Sequence, residues 1–96
     1  MPTLKELIEE QSENGCWYSS SSLGLFFEQG MPTRPSTISS IHVWNTLVAL
    51  YVLEQQFTEQ EKEWFHVGIL ARSWLIEQEI SDPEYVVEHM YYHLRY

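Results

Sequence analysis

The chain has 96 residues, of which 44% are hydrophobic and 15% aromatic, and its formal charge is −9. This length accommodates one hydrophobic core, so we expect a single helical interaction domain over residues 1–96 that needs neither a metal nor a disulfide for stability. The excess of acidic side chains disfavours nucleic acid and anionic membrane surfaces as partners, because their phosphate groups would be repelled.

The cysteine content and the apolar runs indicate the cellular compartment. The one cysteine, Cys16, cannot form an internal disulfide. The first residues lack the basic start and apolar core of a secretory signal peptide. The longest apolar run, residues 47–53, is far shorter than the ~20 residues that cross a bilayer. We therefore expect a cytoplasmic protein.

Two short helices are predicted in the N-terminal third. Thr3 and Glu6 have the spacing of a capping box, which predicts a helix over residues 4–12. Asn14 and Gly15 are expected to end that helix, because both residues readily adopt the left-handed conformation. A second short helix is expected over residues 23–29.

Residues 41–57 have the densest apolar content and predict a central helix. Apolar residues form two adjacent stripes at helical spacing, so at least two other helices must cover this one. A narrow strip through His42, Asn45 and Gln56 is expected to face water. The preceding loop offers three candidate N-caps: Ser36, Thr37 and Ser39.

Two more helices are predicted after the central one. A capping-box spacing at Thr58 and Glu61 predicts a helix over residues 59–79, joined to the central helix in a tight hairpin. Its inward face is expected to contain Trp64, Val67, Gly68, Ala71, Trp74 and Leu75. Its water-facing side is expected to contain Lys62, His66, Ser73 and Glu77.

The same capping-box spacing recurs at Ser81 and Glu84 and predicts a last helix that ends near Arg95. No alternating pattern is long enough to predict a sheet. The predicted fold is therefore all-α, a compact bundle of four to five helices around a central helical hairpin.

No arrangement of side chains indicates catalysis. The one aspartate, Asp82, lies at a predicted cap, and the glutamates are spread along helix surfaces. Cys16 lacks a nucleophile motif, and no glycine-rich phosphate loop is present. His89 and His93 have a spacing that can hold a metal, but no third ligand is evident. We expect a protein that is not an enzyme, with no catalytic residue, cofactor or metal.

The aromatic residues are predicted to have two roles. The four tryptophans are expected to form the structural core: Trp17, Trp44, Trp64 and Trp74. Tyrosines of the last helix form a separate stripe, and tyrosine often anchors interfaces because it buries much area at low entropic cost. The predicted partner-binding residues are Tyr85, Tyr92, Tyr96, Phe26 and Phe27.

Several motifs together resemble a known domain. Gln11-Ser-Glu-Asn-Gly15-Cys-Trp17 is followed by Trp44-Asn-Thr46, Glu63-Trp64 and Ala71-Arg-Ser-Trp74-Leu75. In this order they resemble the C-terminal domain of the von Willebrand factor A domain-containing protein 5 and vault poly(ADP-ribose) polymerase group. The resemblance covers residues 4–78, and the chain departs from it at Cys16 and Asn45.

The resemblance implies a non-catalytic module that docks a larger protein to a scaffold. In the vault polymerase this domain attaches to the major vault protein, which is therefore the partner that the resemblance suggests. Two alternatives remain open. The Gln-x-x-x-Gly-x-Trp unit also resembles the repeat of squalene-cyclase-type terpene cyclases, although those enzymes have several copies and an aspartate motif. The second alternative is a regulatory helical domain that binds a small molecule.

Overall fold

The computed structural model describes residues 3–19, 22–28, 30–36, 38–80 and 85–86. Three α-helices lie in these ranges: α1 (Leu4–Glu9), α2 (Ile41–Gln56) and α3 (Glu61–Glu77). Two 3-10 turns accompany them, at Leu23–Phe26 and Thr58–Gln60. The described part of the chain contains no β-strand, which confirms the all-α prediction.

The number of helices differs from the prediction of four to five. The segment predicted as a second helix is the 3-10 turn Leu23–Phe26, so three α-helices are counted in the described residues. The predicted last helix lies outside the described residues, except for Tyr85 and Val86, which are helical. Its capping box at Ser81 and Glu84 lies outside them as well.

Helix α2 lies inside the fold, as predicted. Every residue from Val43 to Leu53 is buried. Helix α3 and both 3-10 turns contact it, and Leu7 and Trp17 of the N-terminal segment join the same core cluster. Among the residues that the structure describes, no helix is long and apolar enough to cross a membrane.

The polar strip on α2 does not face water along its length. Asn45 is buried, with 1% of its surface exposed, and the prediction that it is wet is wrong. Its side-chain amide donates a hydrogen bond to the Trp17 carbonyl oxygen at 3.3 Å. The Trp17 N–H donates to the Thr46 hydroxyl at 3.1 Å. Asn45 and Thr46 therefore bind the backbone of a neighbouring segment, which pairs the Asn45 amide N–H and the Trp17 N–H, whereas the buried Asn45 side-chain oxygen has no hydrogen-bond partner in the described part of the chain.

Helix α2 begins at Ile41 as predicted, but two of the predicted N-caps are wrong. The Ser40 hydroxyl, rather than that of Ser36, Thr37 or Ser39, caps α2 by accepting from the Val43 N–H at 3.3 Å. The Thr58 hydroxyl donates back to the Glu54 carbonyl, so Thr58 does not cap α3. A 3-10 turn intervenes, and α3 begins at Glu61 without a side-chain cap.

The start of α1 and both faces of α3 are as predicted. The Thr3 hydroxyl accepts a hydrogen bond from the Glu6 N–H at 3.2 Å. All six residues of the predicted inward face of α3 are buried, and the four predicted water-facing residues are exposed. The periodicity of this segment therefore predicts correctly which face of α3 is buried and which is exposed.

All four tryptophans are buried, and three of their indole N–H groups bond to backbone carbonyl oxygens. Trp17 donates to Leu7 at 3.0 Å. Trp44 donates to Pro32 at 2.9 Å, and Trp64 donates to Phe57 at 2.8 Å. Each of these bonds joins a helix to a residue outside that helix, so the indoles fix loops as well as fill the core.

Replacement of Trp44 tests this double role. Trp44→Ala removes a buried indole and is expected to lower the free energy of unfolding by ~3–5 kcal/mol, close to the whole stability of a small domain. Trp44→Phe retains a buried ring but leaves the Pro32 carbonyl without its donor, so a loss of about 1–3 kcal/mol is expected. Urea unfolding followed by circular dichroism measures both. Equal, small losses in the two variants would contradict the assignment of Trp44 to the core and to the Pro32 contact.

Candidate interaction surface

The Gln-x-x-x-Gly-x-Trp unit forms a tight turn that is fastened to α3. The Gln11 side-chain amide donates to the Gly15 carbonyl oxygen at 2.9 Å and to the Val67 carbonyl oxygen at 3.0 Å. One amide group therefore holds the turn closed and attaches it to the helix. Helix α1 ends at Glu9, before the predicted residue 12, because Gln11 belongs to this turn.

The turn and α3 approach each other closely at Gly15. Its φ angle is +108°, which residues with a Cβ atom rarely adopt. A Cβ atom at this position would lie 2.4 Å from the Leu70 carbonyl oxygen, far inside van der Waals contact. The turn thus packs on the backbone of α3 itself.

Helix α3 also carries apolar side chains that the core does not use. Phe65, Ile69 and Ile76 are 56%, 46% and 57% exposed. Their spacing of four and seven residues places them within about 40° of one another around the helix axis. They form one line about 16 Å long, at 1.5 Å of rise per residue. We call these three residues the α3 row.

Charged side chains surround the α3 row. Arg72 occupies the helix position between Ile69 and Ile76, and its guanidinium pairs with the Glu54 carboxylate of α2 at 3.1 Å. The residues before the row include Glu59, Glu61 and Glu63, and those after it include Glu77 and Glu79; all five are exposed. Lys62 is the other basic residue between positions 58 and 80. Carboxylates therefore predominate at both ends of the row.

The predicted partner-binding aromatics do not form one exposed cluster in the described residues. Phe26 and Phe27 are half-buried. The Phe26 ring meets that of Phe57 edge to face at 5.8 Å, and Phe27 stacks on Tyr51 at 6.3 Å. Tyr85 is exposed. Tyr92 and Tyr96 lie outside the described residues.

Sequence reasoning missed the α3 row. It assigned α3 an inward apolar face and a polar outer side, and it left Phe65, Ile69 and Ile76 in neither group. The available signal was their own spacing, because i, i+4 and i+11 define a second apolar stripe beside the first. A helix with two such stripes needs a second covering surface.

The residues considered for nucleophilic catalysis or metal binding are either buried or lie outside the described residues. Cys16 is buried, and its thiol lies 3.2 Å from the Asn14 side-chain oxygen and 3.4 Å from the Ser12 hydroxyl. His89 and His93 lie outside the described residues. Within the described ranges, no group of three or more His, Cys, Asp or Glu residues could hold a metal ion.

Comparison with known proteins adds no relative. No family model matches the chain, and no curated protein or solved structure matches it either. The interpretation of the α3 row therefore depends on the geometry of this chain.

Two glycine replacements separate the close approach at Gly15 from backbone strain alone. Gly30 has a φ angle of +83°, but a Cβ atom there would meet nothing within 4 Å. Gly30→Ala is expected to cost only the strain of a left-handed residue, ~1–2 kcal/mol. Gly15→Ala adds a clash with backbone and is expected to cost at least about 1–3 kcal/mol more. Thermal and urea unfolding measure the difference. Equal costs would show that α3 yields at Leu70.

Replacement of Gln11 tests the bridging amide. Gln11→Met leaves two carbonyl oxygens without a donor and is expected to cost about 1–3 kcal/mol. Gln11→Glu directs a carboxylate at those oxygens. At pH 7 this variant should therefore lose more free energy of unfolding, relative to wild type, than Gln11→Met does. Protonation converts the carboxylate into a donor, so the pKa of the introduced carboxyl group should be higher in the folded variant than in the unfolded chain. The extra loss should therefore disappear as the pH falls below about 4. A loss that does not change with pH would contradict the assigned contacts.

Proposed function

We propose that this domain is a non-catalytic module of the cytoplasm that docks a larger protein to a protein scaffold. The observation that carries the proposal is the α3 row, in which three apolar side chains lie about half exposed along one helix. Folded domains tolerate scattered apolar residues on their surface, but an aligned group is typical of an interaction site. We therefore assign the scaffold contact to α3.

The way in which α3 is held in the fold favours this assignment. The opposite side of α3 is buried in the core, and the turn at Gln11 and Gly15 holds its backbone. A surface that is already rigid loses little conformational entropy when it binds. The α3 row has this property, whereas Phe26 and Phe27 already pack against the rings of other residues.

The motifs behind the family resemblance support the fold of such a module rather than its contact residues. Gln11, Gly15 and Trp17 build the turn, and the tryptophans at positions 44, 64 and 74 are buried. Residues with these roles preserve a shape, so the partner must be bound by other residues, such as the α3 row. The resemblance supports the major vault protein as the first scaffold to test.

Binding to purified major vault protein tests the function directly, with a tagged domain and quantified retention. We expect wild type to be retained and the triple variant Phe65→Ser, Ile69→Ser, Ile76→Ser to bind more than about tenfold more weakly. Leu25→Ser is the matched control, because Leu25 is 64% exposed but lies on a 3-10 turn. Tyr85→Ser tests the aromatic alternative in the same assay.

The same variants are compared in lysate capture followed by mass spectrometry, so that a scaffold other than the vault protein is also detected. A protein that wild type and Leu25→Ser retain and the triple variant loses supports the docking function. If no protein depends on the row while all variants remain folded by circular dichroism, the proposed function is wrong.

A further inference from the structure

We infer that the partner segment that binds the α3 row is a basic amphipathic helix of about three turns. This inference rests on the proposed function, since it specifies what the docking surface binds. It depends on two observations, the shape of the row and the charges at its ends.

The shape of the row suits a helix. Phe65, Ile69 and Ile76 lie along one edge of α3, with Arg72 between the two isoleucines, so the row spans about 16 Å and is one side chain wide. A ridge of this kind packs well against the i, i+4 ridge of another helix. An amphipathic helix whose apolar residues recur at i, i+4, i+7 and i+11 has a matching length.

The charges at the ends of the row select a basic helix. Glu61 and the exposed Lys62 lie one helical turn before Phe65, and the exposed Glu77 and Glu79 follow Ile76 at the C-terminal end of α3, so carboxylates outnumber the one exposed lysine around the row. Of the two basic residues between positions 58 and 80, Arg72 pairs with Glu54 at 3.1 Å. A partner helix with Lys or Arg at both ends would place cations opposite carboxylates, which favours association and selects against acidic segments.

The same charges disfavour a second copy of this chain as the occupant. Two copies of α3 in contact would bring together the five exposed carboxylates of each chain between positions 59 and 79, against one exposed lysine in each. Each chain would also bring a net charge of −9 to the contact.

Two synthetic helical peptides of about 16 residues test the inference. Both carry the same leucine row, and one has lysines and the other glutamates at the flanking positions. Fluorescence anisotropy with the intact 96-residue domain should show binding of the basic peptide at least about tenfold tighter than that of the acidic one. The preference should shrink in high salt, which screens exposed charges.

Variants of the domain locate the contact. The triple row variant should lose binding of the basic peptide, whereas Leu70→Ser should not, because Leu70 is an exposed residue of α3 outside the row. Glu61→Gln with Glu77→Gln should weaken the basic peptide by several-fold and leave the acidic peptide unchanged or improved. These charge variants keep the helix and the row intact.

Three results would overturn the inference: equal affinity for both peptides, binding that survives the triple variant, or a dimer in sedimentation experiments that the triple variant abolishes. The last would identify a second copy as the occupant. If a scaffold protein still depends on the row in the capture assay while neither peptide binds, only the partner class is wrong. If row dependence is absent from both assays, the docking function fails with it.

Discussion

The burial of α2 on every side is the constraint on which the rest of the structure depends. No residue from Val43 to Leu53 reaches solvent appreciably, so other elements must cover this helix with apolar surface, and α3 and both 3-10 turns contact it. The inner face of α3 packs in the core, and the backbone of Trp17 forms hydrogen bonds with the side chains of Asn45 and Thr46. The α3 row is what remains once the core is complete. Its three side chains are about half exposed and do not belong to the core cluster of the described residues, which is why we assign them to a partner.

The sequence was sufficient to predict the position of α2 and both faces of α3, because helical periodicity reports which side of a helix is apolar. It could not predict the burial of Asn45. A polar strip on an apolar helix is the same pattern whether water or another backbone covers it, and the covering N–H and C=O groups belong to Trp17, 28 residues away along the chain. The cap of α2 was missed for a local reason. Several hydroxyl residues precede the helix, and it is the extended backbone of Ser40 that brings a side-chain oxygen to the Val43 N–H.

The candidate site was harder to predict than the fold. Phe26 and Phe27 were expected to bind a partner because they are aromatic, yet they lie against Phe57 and Tyr51. Phe65, Ile69 and Ile76 were overlooked because their exposure depends on which segments cover α3, and this is tertiary information. The spacing of Gln11, Gly15 and Trp17 indicated a structural unit. That it rests on the carbonyl oxygens of Val67 and Leu70 could not be inferred from spacing, because these groups are backbone and leave no trace in the pattern.

The central claim is that α3 has one face for the core and another for a partner, and the isoleucine methyl groups test it most directly. The chain has six isoleucines. Ile69 and Ile41 are almost equally exposed, at 46% and 49%, but Ile41 lies at the start of α2. We would label the δ1 methyl groups and titrate the domain with the basic leucine-row peptide. The account predicts that the signals of Ile69 and Ile76 shift while those of Ile41 and Ile8 do not. Shifts at Ile41 with none at Ile69 and Ile76 would contradict it.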